Sequence, residues 1–352
     1  MKKKKRKNMK NKITAIIITI MSLMFSVNAF AETALIDKNY EPLKMKTVKQ
    51  EGKLLFSDSP EYLEEFGIVA KAKIKGNGKI YYYHVNDKYV PGIIAIFAQG
   101  KANQKTEIKR IVKGDASVDY ITTGKTLSER LANGEGKRKK EIVLANKEKT
   151  ILEDTIEYVK PEYLVSGMVD VYSKDEITYG VVFLPKIGKI ENSLKNAKEI
   201  AVDKHEMRGT FSSDIYLENE KPWNISNWPA EIKIGDGKRD VFLQGMDEID
   251  KVKRENTGNF GVTYHINIHS KGEGKYSVYL NPQGGVYMGI IEIGQGYVYY
   301  PYNTEIRNDM FGHNTIYDYM NMGIWEAGKD LKIRLTPPGA SNLPIRLLLI
   351  PQ

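Results

Sequence analysis

Apolar and polar residues alternate in short runs along most of this chain, and the runs are rich in Val, Ile, Tyr and Thr, with Gly, Asn or Pro between them. That is the pattern of strands with one buried face, joined by tight turns. In the first half it predicts strands over 67–75, 79–86, 92–99, 105–112, 140–146 and 176–185. In the second half it predicts strands over 208–218, 230–235, 239–245, 262–270, 275–282, 286–294, 297–301, 330–337 and 344–351. Between the halves the alternation stops. Ile187, Ile190, Leu194, Ala197 and Ala201 recur at steps of three and four, which is helical spacing. Residues 32–50 read as an extended lead-in. The expected fold is all-β: two β-sandwich (jelly-roll-like) domains, 32–186 and 206–352, joined by a short connector over 187–205 with one helical segment.

The stretch GVTYHINIHS (261–270) holds two of the five histidines, His265 and His269. On a helix, this spacing puts both imidazoles on one face, ready for a metal. Val262, Tyr264, Ile266 and Ile268, however, alternate with Thr263, His265, Asn267 and His269, so the pattern is that of a strand. A strand rises ~3.4 Å per residue, which leaves the two histidines ~13 Å apart. A zinc ion needs its ligand atoms ~2 Å away. No metal or cofactor is expected between them.

Four G-x-G-K tetrapeptides, at 76–79, 134–137, 235–238 and 272–275, resemble the end of a phosphate loop. They lack the longer G-x-x-x-x-G-K-[ST] frame and precede strands, so they predict tight hairpin turns. Acidic residues gather at Asp247, Glu248 and Asp250, and at Asp170, Asp175 and Glu176. A carboxylate pair held ~5–10 Å apart can hydrolyse a glycosidic bond, but no spacing marks such a pair here.

Residues 1–31 change the charge balance. KKKKRKNMKNK, then the apolar ITAIIITIMSLMF, then SVNAFA is the order of a secretory signal peptide cleaved after Ala31. The apolar run is shorter than the ~20 residues that span a bilayer. Those 31 residues carry +8 of the whole chain's +9, so the mature chain is near neutral at +1. A nucleic-acid partner, which needs a basic footprint on the folded domain, is not expected. One basic cluster remains, Lys137 to Lys140 with Lys101, Lys105, Lys109, Arg110 and Lys113, and it reads as a solvated hairpin tip. The chain has no cysteine, which excludes thiol catalysis, a Cys-based zinc cluster and a lipoprotein anchor. The mature protein is expected to be secreted, without a transmembrane anchor.

The chain has 22 Tyr and 3 Trp. KPWNISNWPAE (221–231) places Trp223 and Trp228 with Asn224 in a Pro-flanked loop. Rings in a loop beside amides and hydroxyls suit the faces and hydroxyls of sugars, so these three are the candidate ligand-binding residues. GYVYYPYNTE (296–305) is similar.

HEMRGTF (205–211), NPQGG (281–285) and TPPGASNLPIRLLLIPQ (336–352) resemble the C-terminal β-rich region of secreted Firmicutes proteins that often carry a copper-amine-oxidase-like N-terminal stalk domain. The resemblance implies an extracellular, wall-associated protein and assigns no catalytic residue; a stalk segment is not recognisable here. The expected function is a non-catalytic extracellular binding or scaffolding module for glycans or wall polymers. The alternative is a secreted glycan-directed hydrolase with paired carboxylates.

Overall fold

A computed structural model describes Leu35, residues 39–296, 300–302, 305–306, 309–312 and 317–352. The signal reading of residues 1–31 lies outside them, as does part of GYVYYPYNTE. The chain is all-β, with two α-helices of described bounds, Tyr120–Ala132 and Ile190–Asn196. The second falls where helical spacing predicts one. Among the described residues no helix is long and apolar enough to cross a membrane.

The first body of the fold is a 12-stranded sheet. Its longest strands, Gly67–Asn86 and Leu164–Pro185, run antiparallel side by side. Strand Gly92–Gln99 pairs with the C-terminal part of Leu164–Pro185, and strand Lys105–Lys113 with the N-terminal part. Odd positions of the longest strand (Val165, Val169, Val171, Ile177, Tyr179, Val181, Phe183) line one core with Ile80, Ile96 and Ile108. Even positions Val182 and Leu184 pack with Leu194 of the short helix.

The second body is a sandwich. A five-stranded sheet contains Ala230–Ile234, Ile345–Pro351, Lys275–Pro282 and Met320–Glu326. A six-stranded sheet contains Met45–Glu51, Asp214–Asn219, Thr263–Ile268, Leu331–Leu335 and Ile291–Gln295. Ile232, Val278 and Leu347 from one sheet meet Ile266, Ile293 and Ile333 from the other. This core runs on without a break into Tyr81, Tyr83, Val112, Leu164 and Met168 of the first body. The two bodies therefore share an apolar face.

Pairing does not follow a division at residues 186 and 206. Met45–Glu51, read as lead-in, is an edge strand against Asp214–Asn219. Arg208–Phe211 pairs back with Lys53–Ser57 of the 12-stranded sheet. Gly52 joins the two early strands at φ +66°, where a Cβ would lie 2.1 Å from Ser213 Oγ. Gly52 is a bend at which the chain passes from one sheet to the other without reversing, and a glycine there takes the positive φ without a side chain against Ser213.

Three sequence expectations are corrected. GNGK at 76–79 does not turn the chain; 67–75 and 79–86 are one strand. Gly76 sits at φ +80° opposite a register slip between Ser173 and Ile177, so the ladder absorbs it as an irregularity. Residues 239–243 form a loop, with strand only from Gln244. Asp236 Oδ1 accepts from the backbone N–H of Lys238, Arg239 and Asp240, at 2.8–3.0 Å. Asp240 Oδ2 then accepts from Gly235 N at 2.7 Å and from the Tyr264 hydroxyl at 2.5 Å. These bonds satisfy the backbone without a neighbouring strand. Finally, the basic run at 137–140 does not sit at a hairpin tip. It opens strand Lys137–Val143, which pairs with Lys105–Lys113 but is reached through helix Tyr120–Ala132.

Candidate functional site

The structure separates the three predicted ligand residues. Trp223 is 4% exposed and lies in the main core, edge-on to Tyr276 with ring centroids 5.2 Å apart. Its backbone pairs with Ser270, so Trp223 and Ile225 point inward while Asn224 points outward. Asn224 Oδ1 is taken up by Ser226 N at 3.1 Å. Trp228 is 71% exposed. A turn at residues 225 and 226, closed by Asn227 N donating to Asn224 O at 2.9 Å, separates the two rings. Of the three candidate ligand-binding residues, Trp223 lies in the core, and Trp228 alone presents an exposed ring.

HINIH is a strand. Tyr264, Ile266 and Ile268 are buried, and His265 is only half-buried. His265 Nε2 lies 3.0 Å from Asp214 Oδ1, and its ring stacks on Tyr216 with centroids 4.3 Å apart. His269 Nδ1 lies 2.8 Å from Asp330 Oδ1. Each histidine has its own carboxylate. Among the described residues no three His, Asp or Glu side chains converge as a metal site would require.

The acidic clusters also divide. Asp247 is buried against Arg208, and Glu248 pairs with Lys251. Asp175 and Glu176 are exposed near the register slip, whereas Asp170 is enclosed. Asp170 leads to a polar cleft built by strand register.

Strand register sets a row of charges across the 12-stranded sheet. Lys79 lies opposite Asp170, Asp170 opposite Arg110, and Arg110 opposite Lys137. Lys79, Asp170 and Arg110 are each two residues from Tyr81, Met168 and Val112, which enter the shared core. They therefore occupy the same face, at the polar margin of the contact between the bodies. The six-stranded sheet supplies a facing row: Tyr216 opposite His265, His265 opposite Arg334, and Arg334 opposite Glu292. Lys79 bridges the rows, with Nζ 2.9 Å from Asp214 Oδ2 and 2.8 Å from Thr263 Oγ1. Arg334 forms a two-pronged bond to Glu292, at 2.6 Å for each prong.

Between the rows lie two adjoining cavities of about 310 and 460 Å³ that share Lys79, Arg110, Lys137, Asp170 and Asp214 as lining. That is the size range of small-ligand pockets. The two aspartates differ in state. Burial pushes the Asp170 carboxyl up, only partly offset by Lys79 and Arg110. Its Oδ1 is enclosed and, among the described residues, accepts no hydrogen bond. Burial also acts against Asp214, but His265, Lys79 and Ser213 outweigh it and hold that carboxyl well below the usual range. The cleft so presents one unsatisfied acceptor among fixed cations, an arrangement that can receive hydroxyl donors and negative groups together.

Alternation does not reveal this site, yet a faint signal exists. Asp170 in MVDVY and Glu292 in IIEIG are charges set in otherwise apolar strand segments, and Arg110 in KRIV and Arg334 in KIRL stand beside apolar strand residues.

The chain matches no protein-family model. No curated protein matches it. Among solved structures it is similar to the CUB1-EGF-CUB2 domain of human MASP-1/3, at 7% identity over 80% of this chain and 98% of that one, with TM-score 0.21. It is also similar to the N-terminal CBM22-1-CBM22-2 tandem domain of Paenibacillus barcinonensis Xyn10C, at 10% identity over 87% and 92%, with TM-score 0.16. Vicilin from Solanum lycopersicum (tomato) aligns at 11% identity over 84% of each chain, with TM-score 0.16. Likeness at this level assigns no ligand or activity.

Proposed function

We propose that this chain is a secreted, non-catalytic binding or scaffolding protein whose cleft holds a hydroxyl-rich polymer, a glycan or wall polymer. One observation carries the reading: Asp170 Oδ1 is enclosed and unbonded in a ligand-sized cleft, flanked in register by Lys79 and Arg110. A buried acceptor left unmatched costs about 1–3 kcal/mol, and a ligand hydroxyl would remove that cost. Support for binding over hydrolysis comes from Asp214. Its carboxylate is engaged by Lys79, His265 and Ser213, so it is not free to serve as nucleophile or base beside Asp170. Export rests on the order of charged, apolar and small residues in 1–31.

The test is a screen of neutral and acidic glycans and wall polymers against the parent and Asp170→Ala. Lys79 keeps Asp214, and Arg110 keeps its backbone partners, so this variant should melt as the parent does. Binding to a retained polymer should weaken at least tenfold. Equal binding by both proteins would remove the cleft from the account. New reducing ends released by the parent would favour the hydrolase.

A further inference from the structure

We propose that Arg110 and Lys137 form an anion subsite at the mouth of this cleft, which selects acidic units of the polymer: sugars bearing carboxylates, or phosphodiester-linked polyols. The inference rests on the cleft being the binding site and names the chemistry it prefers.

The geometry begins with GEGK at 134–137. Gly136 adopts φ +73°, and a Cβ there would lie 1.9 Å from Ile111 O. Only glycine lets the turn press against strand Lys105–Lys113 this closely. The close approach puts Lys137 in register with Arg110, and Lys137 Nζ stands 3.7 Å from where a Gly134 Cβ would be. Both cations line both cavities.

Arg110 has a structural duty. Its Nε donates to Glu135 O at 2.8 Å, and its Nη2 donates to Leu131 O at 2.6 Å and Arg130 O at 3.4 Å. It thereby caps the last carbonyls of helix Tyr120–Ala132. That duty fixes the guanidinium and leaves Nη1 with no bond among the described residues. Neither Arg110 nor Lys137 has a carboxylate within ion-pair distance there, whereas Lys79 and Arg334 on the same cleft do. The cleft thus pairs Lys79 and Arg334 with carboxylates, engages Lys109 with Asn77 and the Tyr172 ring, and leaves the adjacent Arg110 and Lys137 open to an anion. A held guanidinium edge beside an exposed ammonium suits a carboxylate or phosphate, the first through directed N–H bonds and the second as a point charge. Asp170, next in the row, rejects a second negative group and accepts a hydroxyl. The preferred unit therefore carries one anion and neighbouring hydroxyls.

The test uses the full chain, so the eight cations of residues 1–31 contribute equally to every comparison. Polygalacturonate, poly(glycerol phosphate) and a neutral galactan are titrated against the parent, Lys137→Glu, Lys137→Arg and Asp170→Ala. Lys137 is exposed, so its variants should keep the parent's melting temperature. The expected result is at least tenfold weaker binding of an acidic polymer by Lys137→Glu, near-parental binding by Lys137→Arg, and little change on the neutral galactan. Which acidic polymer responds tells carboxylate from phosphodiester. If acidic binding is lost in Asp170→Ala but unchanged in Lys137→Glu, the anion subsite falls and the cleft stands. If neither variant changes it, both readings fall.

Discussion

Arg208 joins three parts of the chain from inside the protein, and its replacement tests how the strands of the 12-stranded sheet and the connector are tied together. Arg208 and Asp247 are each 1% exposed. The guanidinium Nε donates to Asp247 Oδ2 at 2.8 Å, and Nη2 donates to Asp250 Oδ2 at 3.1 Å. Its Nη1 donates to Val69 O on the long strand and to Ile200 O in the connector, at 2.9 and 2.8 Å. Arg208→Met keeps much of the volume but leaves Asp247 buried, with Arg254 Nε 3.9 Å away as its remaining cation. It also orphans two carbonyls. Removing one partner of a buried pair costs about 3–5 kcal/mol. Because Arg254 remains, we expect the lower part of that range. With a urea dependence of about 3 kcal/mol per M, the unfolding midpoint should fall by about 1 M. Urea titration followed by circular dichroism measures it. Adding Asp247→Leu removes the stranded charge and should recover at least ~2 kcal/mol, since apolar replacement of a whole buried pair is often neutral. A shift under ~1 kcal/mol for Arg208→Met, or no recovery in the double variant, would refute the reasoning.

Two further outcomes follow from burial. Trp223→Ala should cost about 3–5 kcal/mol and lower the melting temperature by at least ~6 °C, while Trp228→Ala should stay within ~0.5 kcal/mol. Similar melting of the two variants would contradict their placement. Burial pushes the Asp240 carboxyl up to about 6, against hydrogen bonds from Tyr264 and Gly235 that favour its charge. A carboxyl raised on folding stabilises the fold fully below its unfolded value of 3.8 and loses that contribution as pH rises through about 6. Asp240→Asn should therefore remove a fall in stability between roughly pH 4 and 6, read as the parent-minus-variant difference in melting temperature. A difference constant over that window would show that Asp240 does not titrate as its surroundings imply.

The sequence by itself determined the class of fold and most of the strands. The runs 92–99 and 275–282 became strands with the same bounds although both are buried on both faces, because each is a short apolar and aromatic run ended by turn residues, whereas 263–268 shows the alternation itself as alternate burial. It did not show helix Tyr120–Ala132, whose buried residues are Thr123, Gly124, Leu127 and Ser128. Only one of these four is a large apolar residue, so no apolar stripe marks the helix. Nor did it show strand Met45–Glu51, which is polar and mostly exposed at a sheet edge. Its evidence is the backbone of Asp214–Asn219, far along the chain.

The cleft is a still clearer case of what only the tertiary structure decided. Local pattern says that Asp170 and Arg110 share a strand face with core residues and that Arg334 lies on the face opposite Leu331, Ile333 and Leu335. Register decides that Lys79, Asp170, Arg110 and Lys137 stand in one row, and that His265, Arg334 and Glu292 stand in the row facing it. A slip of one residue in any ladder would send those charges to the opposite face. Register arises from packing both bodies around one shared core, and that is a property of contacts distant in the chain.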